Sequence, residues 1–420
     1  MLKKIEITQL RIGMYVQELC SSWIDTPFWQ KSFMLSDREE LKKIQATKIR
    51  HAWIDVSKGL DVLKDVEIKP QAEPIPEPKA EPEPEPLPPI PSPSVPRQIT
   101  AVSMDDELGR ASAIVSKSKQ AVFSMFNEAR MGKAVDVGNA QSMVEEIAES
   151  VMRNPGALIG LARLKTKDDY TYMHSIAVCA LMVALAKQLG LSEEETRDAG
   201  LAGLLHDIGK MMVDADILNK PGKLTDAEFV SVKEHPVAGY KMLKGANGVS
   251  KAALDVCLHH HEKIDGSGYP RRLKGDEISV FARMGAVCDV YDAITSDRPY
   301  KQGWCPAESL RKMAEWSSGH FDEKIFQAFV KSIGIFPVGT LVKLESGRLA
   351  VVVEQQVGKS LLLPKVRVFF SVKAMAYITP ELIDLSRLGM NDKIASREDA
   401  AKWGIRDINR YWLGEAANNR

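Results

Sequence analysis

At 420 residues the chain is too long for one hydrophobic core and predicts two or three domains. Its composition, 45% hydrophobic and 27% charged, is that of a globular protein, and 56 basic residues balance 56 acidic ones. That balance excludes a global field for a nucleic-acid polymer or an anionic membrane, so an anionic ligand would need a local site.

The N-terminal MLKKIEITQL lacks the apolar core of a signal peptide, and no apolar run reaches the ~18 residues of a membrane span. Five cysteines (Cys20, Cys179, Cys257, Cys288 and Cys305) form no CxxC pair. A disulfide framework is not expected, and the reading is of a cytoplasmic protein in a reducing compartment. Residues 1–69 predict a small α+β domain. IEITQL, GMYVQEL and HAWIDV read as strands and LSDREELKKIQATK as a capped helix. Trp23, Phe28, Trp29 and Phe33 are dense enough to line a binding surface, but in so small a domain they read as core.

Twelve of the 22 prolines fall in residues 70–96, PQAEPIPEPKAEPEPEPLPPIPSPSVP. Residues 70–98 therefore read as an extended Pro/Glu-rich linker that would let the N-terminal domain reach a protein partner. Residues 99–336 show apolar positions at helical spacing, as in TYMHSIAVCALMVALAKQLG and PAESLRKMAEWSS. From Pro337 the pattern turns to strands (VGTLVKL, RLAVVVEQ, KVRVFF), so residues 337–420 read as a β-rich appendage and tail. The fold class is mainly α, with a small α+β domain before it and β structure after it.

Seven of the eight histidines lie between 174 and 320. Each has an ordinary explanation. His174 could be a hydrogen-bonded core residue, and His206 with Asp207 could simply end a helix. His235 opens a helix before Pro236, and His259, His260 and His261 follow an apolar one. Asp289 stands within VFARMGAVCDVYDAIT, where a lone acid needs a partner. Taken together, so many imidazoles and carboxylates strain a purely structural explanation and suit first-row transition metals. There are too many for one tetrahedral ion and enough for a pair, and the absence of cysteine disfavours a zinc finger or an iron–sulfur cluster. A two-ion site makes phosphodiester hydrolysis the default reaction class.

HDIGK at 206–210, His235 and HHEKIDGSGYP at 260–270 resemble the HD-GYP family of the HD phosphohydrolase superfamily, over roughly residues 110–335. Residues 1–65 or so resemble a small domain of unknown function often found before HD-GYP domains. The resemblance implies a helical, metal-dependent phosphodiesterase of cyclic di-GMP. His174, His206, Asp207 and Asp289 would hold one ion, and Asp207, His235, His260 and His261 the other, with Asp207 bridging and a hydroxide shared between the ions. The metals implied are iron or manganese, with nickel or zinc also compatible with the donor set. His259 is the extra histidine of the run.

Lys210 would donate to the shared hydroxide or to a phosphate oxygen. Glu262 and Asp265 would orient histidines or pin the loop. Gly266 and Gly268 permit close approach of the backbone and Pro270 stiffens the exit, presenting Tyr269 to substrate or to a protein partner. Arg298 and Lys301 of DRPYK match family positions that contact substrate phosphates. Some members carry a Glu one turn before the first His, which binds a third metal. Tyr170 stands there, and neither Asp168 nor Asp169 lies a full turn from His174. Two ions are thus the expectation; since two-metal sites in the family are associated with stopping at linear pGpG and three-metal sites with continuing to GMP, the resemblance implies pGpG, with further cleavage to GMP left open. The alternatives are another cyclic dinucleotide such as cyclic GMP-AMP, a general HD nucleotide phosphohydrolase, which the GYP turn argues against, and a non-catalytic cyclic-dinucleotide sensor.

Overall fold

The computed structural model describes residues 2–20, 33–35, 41, 51–60, 100–166, 169–218, 220, 222–296, 303–356 and 358–414. The chain divides into two compact units, Met1–Arg97 and Gln98–Arg420.

In the first unit, β1 (Leu2–Glu6), β2 (Tyr15–Cys20), β3 (Phe33–Met34) and β4 (His51–Asp55) form an antiparallel sheet of order β1-β4-β2-β3. Ile5, Val16, Ala52 and Ile54 bury one face, with Met14 and Leu35 beneath it. The IEITQL stretch is part strand and part 3-10 turn, because Glu6 and Gln9 close a capping box around Ile7–Gln9. Of the expected helix over residues 35–48 only Leu35 and Leu41 are described, and Trp23, Phe28, Trp29 and the Pro/Glu segment fall outside the described residues.

The second unit is helical from Met104 to Ile333. Several of its helices start at side-chain caps. Ser103 accepts from Asp106 N at the head of α1 (Met104–Arg130). Asp136 caps α2 (Val137–Arg153), and Asn154 caps α3 (Pro155–Arg163), with Pro155 in its first turn. α4 (Tyr170–Gln188) is buried from Met173 through Ala186. Its length and hydropathy would suit a membrane span, but 78% of that window is buried by packing within the protein, which makes it the central helix of the core. α5 (Glu193–Leu205), opened by a Ser192–Glu195 capping box, lies along it. The crossing is close because a Cβ on Gly203 would stand 2.8 Å from the Val178 carbonyl.

α6 (Ala215–Leu218), α7 (Asp226–Val232), α8 (His235–Lys244) and α9 (Lys251–His259) follow. α10 (Val280–Thr295), α11 (Pro306–His320) and α12 (Glu323–Ile333) complete the helical part.

The C-terminal strands β5 (Leu341–Leu344), β6 (Arg348–Glu354), β7 (Lys365–Ser371), β8 (Ala376–Asp384) and β9 (Ile394–Arg397) form an antiparallel sheet of order β8-β7-β6-β5-β9. Alternation explains the continuous apolar run in β6. Leu349, Val351 and Val353 join the helical core, whereas Ala350 and Val352 face a separate cluster with Val342 and Val366. α13 (Asn409–Leu413) drops the fully buried Trp412 against Gly160 of α3. The β region is therefore packed into the helical core on one face.

Candidate active site

Five segments bring the predicted donors together. α4 supplies His174, and the end of α5 supplies His206 and Asp207. The start of α8 supplies His235, the end of α9 supplies His260 and His261, and the middle of α10 supplies Asp289. Donor atoms of His174, His206, Asp207 and Asp289 all lie within 4.8 Å of one another, and so do those of His235, His260 and His261.

Asp207 joins the two sets. Its Oδ2 is 3.2 Å from His174 Nε2 and 3.3 Å from His206 Nε2. Its Oδ1 is 3.2 Å from His235 Nε2 and 3.7 Å from His260 Nε2. Asp289 Oδ1 stands 3.1 Å from His174 Nε2, and its Oδ2 stands 3.8 Å from His261 Nδ1.

The turn carrying Asp207 packs unusually close to α8. A Cβ on Gly209 would lie 1.9 Å from the His235 carbonyl and 2.5 Å from Gly239 N. Glycine at 209 is what lets Asp207 and His235 share one centre.

Main-chain carbonyls set the protons. His206 Nδ1 donates to Gly203 O at 2.8 Å, His235 Nδ1 to Val232 O at 2.7 Å, and His260 Nδ1 to Val256 O at 2.9 Å. Each Nε2 is then an acceptor. These acceptors converge on one another and on a carboxylate: His235 Nε2 is 3.4 Å from His260 Nε2, and Asp207 Oδ1 is buried without a hydrogen bond. Lone pairs facing lone pairs repel unless a cation lies between them, so the donor set fits divalent metal ions.

The charge states differ from ring to ring. Burial, with His261 and His206 beside it, pushes His260 well below the usual imidazole range, and burial pushes His261 down to about 3. Both are neutral, as metal ligands must be. Burial alone would lower His174 too, but hydrogen bonds to Asp207, Asp289 and Asp292 raise it to about 10. Against the cost of burial, Lys210 and His206 hold Asp207 well below the carboxylate range, and His174 and His261 do the same for Asp289.

The remaining predicted residues divide. Lys210 Nζ donates to Asp207 Oδ2 at 2.5 Å. Glu262, 2% exposed, accepts from Arg271 N at 2.6 Å and from Leu273 N at 3.1 Å, tying down the segment after GYP. Asp265 accepts from Ser267 N at 2.8 Å inside the loop. Gly266 has φ +82°, and Gly268 sits where a Cβ would meet Glu262 Cα at 2.5 Å. Tyr269 stacks on His261 at 4.7 Å, and Lys233 Nζ lies 5.3 Å from the same ring. Burial pushes the Tyr269 phenol upward.

His259 turns away to Asp255 at 2.8 Å, and Asp169 is taken by Lys119 at 2.6 Å. Tyr170 stacks on His174 at 6.0 Å. Arg298, Lys301 and Asp168 lie outside the described residues.

Two participants escaped the sequence reading. Asp292 Oδ2 meets His174 Nδ1 at 2.6 Å, and the buried Lys165 pairs with the same carboxylate. Asp292 follows Asp289 by one helical turn, a spacing that could have flagged it. Lys165 carried no sequence signal.

Residues 144–325 match the family described as HD domain, and residues 2–140 match a domain of unknown function, DUF3391. The chain is 52% identical over 417 residues to the cyclic di-GMP phosphodiesterase PA4108 of Pseudomonas aeruginosa, covering 99% of this chain and 97% of that protein. It is 43% identical over 193 residues to the response regulator RpfG of Xanthomonas campestris, a cyclic di-GMP phosphodiesterase, covering 46% of this chain and 51% of that protein. It is 38% identical over 167 residues to 3'3'-cGAMP-specific phosphodiesterase 1 of Vibrio cholerae, covering 40% of this chain and 38% of that protein. Among solved structures, an HD-GYP-type protein of Bdellovibrio bacteriovorus, Bd1817, aligns with TM-score 0.45 at 16% identity, over 79% of this chain and 98% of that one.

Proposed function

Because this chain belongs to the HD-GYP family of HD-domain phosphohydrolases, we propose that its His/Asp centre hydrolyses cyclic di-GMP to linear pGpG with two divalent ions, iron or manganese. One observation carries the two-ion reading. Asp207 turns Oδ2 to the His174/His206/Asp289 set and Oδ1 to the His235/His260/His261 set. Ions held by these residues would activate water and offset charge on the phosphoryl oxygens.

The protein's own groups prepare that chemistry. Carbonyls of Gly203, Val232 and Val256 hold three imidazoles in one tautomer, so no ring needs to turn when a ligand arrives. Lys210 is the one lysine hydrogen-bonded to Asp207 among the described residues, and it is where a phosphate oxygen would find a donor. Tyr269, braced between His261 and Lys233, offers a ring edge for a guanine at the rim. In the reaction, a water oxygen adds to one phosphorus of the cyclic dinucleotide. The 3'-oxygen leaves and takes up a proton, and the linear product keeps a 5'-phosphate. Substrate phosphates would be met by Arg298 and Lys301.

The relatives specific for 3'3'-cGAMP support a second substrate reading, another cyclic dinucleotide at the same centre. Chromatography of products from anaerobically purified protein given each cyclic dinucleotide, with metal content assayed on the same sample, tests both. Linear pGpG with about two ions per chain supports the proposal. Preference for cyclic GMP-AMP supports the second reading, and bound nucleotide without turnover makes the protein a sensor.

A further inference from the structure

We propose that Lys165 is a positioning residue for the metal centre, acting through Asp292 on His174. The inference rests on the metal reading above and goes beyond it in naming what aims His174, whose Nδ1 meets a carboxylate where three of its neighbours meet a carbonyl.

His206, His235 and His260 each lean on a carbonyl three or four residues earlier in the chain. His174 does not. Its Nδ1 meets the Asp292 carboxylate at 2.6 Å, 118 residues away in sequence. A carboxylate is a stronger acceptor than a carbonyl and makes the opposite ring nitrogen a better ligand. It is also a rotor, free to turn about its Cβ–Cγ bond unless something fixes it.

Lys165 fixes it. Its side chain is 0% exposed, and Nζ donates to the same Oδ2 that meets His174. Ser296 Oγ accepts from that ammonium at 2.7 Å and lies 3.4 Å from Asp292 Oδ1, closing the triangle on the other side. Lys165 Nζ also lies 5.4 Å from the centre of the Tyr170 ring, which is stacked nearly parallel on His174 at 8°. One ammonium therefore braces the ring of His174 twice, through Asp292 at its edge and through Tyr170 at its face. A buried ion pair is a poor device for stability alone, since an apolar pair of the same volume would serve as well. Lys165 balances the charge of Asp292, so that a third unpaired carboxylate does not stand beside Asp207 and Asp289.

The test is a binding isotherm for Mn2+ by the full-length, metal-stripped protein, with thermal melting of the metal-free form alongside it. Wild type should take up two ions. Lys165→Met should weaken one of the two by about 10- to 100-fold, as loss of a ligand's hydrogen-bond partner does, and leave the other within a few-fold. Asp292→Asn should weaken the same ion. The double variant should bind as Asp292→Asn alone does, because Lys165 acts through Asp292. It should melt near wild type, because no buried charge is left unpaired.

Wild-type affinity at both sites in Lys165→Met overturns the inference, and so does a double variant that regains affinity together with stability, or one whose losses simply add. Should Lys165→Met fail to fold, the comparison of Asp292→Asn with the double variant carries the test alone: equal affinity supports the relay, a further loss overturns it. A wild-type protein that takes up no ion removes the metal reading itself, whereas two ions in wild type with no change in the variants removes only the role of Lys165.

Discussion

His174 and His206 stand with their Nε2 atoms 3.2 Å apart, and His206 has already committed its Nδ1 proton to the Gly203 carbonyl. Because His174 Nδ1 donates to the Asp292 carboxylate, its Nε2 can face that of His206 only as part of an imidazolium or across a metal ion.

Replacing His206 and Asp207 together with alanine removes a ligand from one set and the residue common to both. Hydrolysis should fall to background in product chromatography, with helical circular dichroism retained because both side chains, though buried, face the polar donor cluster at the end of α5. Turnover by the double variant would sink the metal mechanism.

In the proposed reaction Lys210, which donates to Asp207, would act on charge that develops at the reacting phosphate. Lys210→Ala should lower kcat by about 10²- to 10³-fold, the usual loss for one preorganised donor, while Mn2+ content stays at the wild-type level. A loss of metal in step with activity would instead make Lys210 a support for Asp207.

Gly209 lets the Asp207 turn touch α8. Gly209→Ala would force a methyl against the His235 carbonyl, and such overpacking costs about 1–3 kcal/mol or more. The melting temperature should drop and metal uptake should weaken at both sets, since the shared residue is displaced. Unchanged melting would show that α8 slides at little cost.

Outside the metal cluster, His320 stacks on Phe321 at 4.2 Å, and burial together with Lys263 pushes it down to about 4. An imidazole whose folded value lies below its unfolded value of about 6.5 binds its proton more readily when unfolded. Its contribution is therefore intact above about pH 6.5 and is lost as pH falls toward 4. Denaturant melts of wild type and His320→Gln should converge over that window, and parallel curves would contradict this.

How much of this was legible in the sequence depended on the range of the interaction. The histidines and both aspartates that the structure groups could be named because HDIGK and HHEKIDGSGYP resemble a known family; His174 and Asp289 stand outside those motifs, and their assignment as ligands came from the resemblance alone. β5 to β7 were readable from alternating and apolar runs. β8 was not, because Ala376 to Glu381 are all exposed and Pro380 interrupts the pattern. The joining of β6 to the helical core was hidden, since a run of buried residues on both faces looks the same for an appendage and for an integrated sheet. Lys165 was invisible because it and Asp292 are 127 residues apart, and the meaning of the pair exists only in three dimensions.

The carbonyl anchors of His206, His235 and His260 are local, each closing a ring within three or four residues of its own chain. Such bonds can form as soon as a turn of helix forms, before any helix finds its neighbour. His174 waits for α4 and α10 to meet. During folding, these three of the five rings would thus arrive already aimed, whereas His174 would be aimed by docking. That makes His174 an internal reporter of native assembly: an ion held at its full ligand set certifies that the core helix and the helix bearing Asp289 are in place.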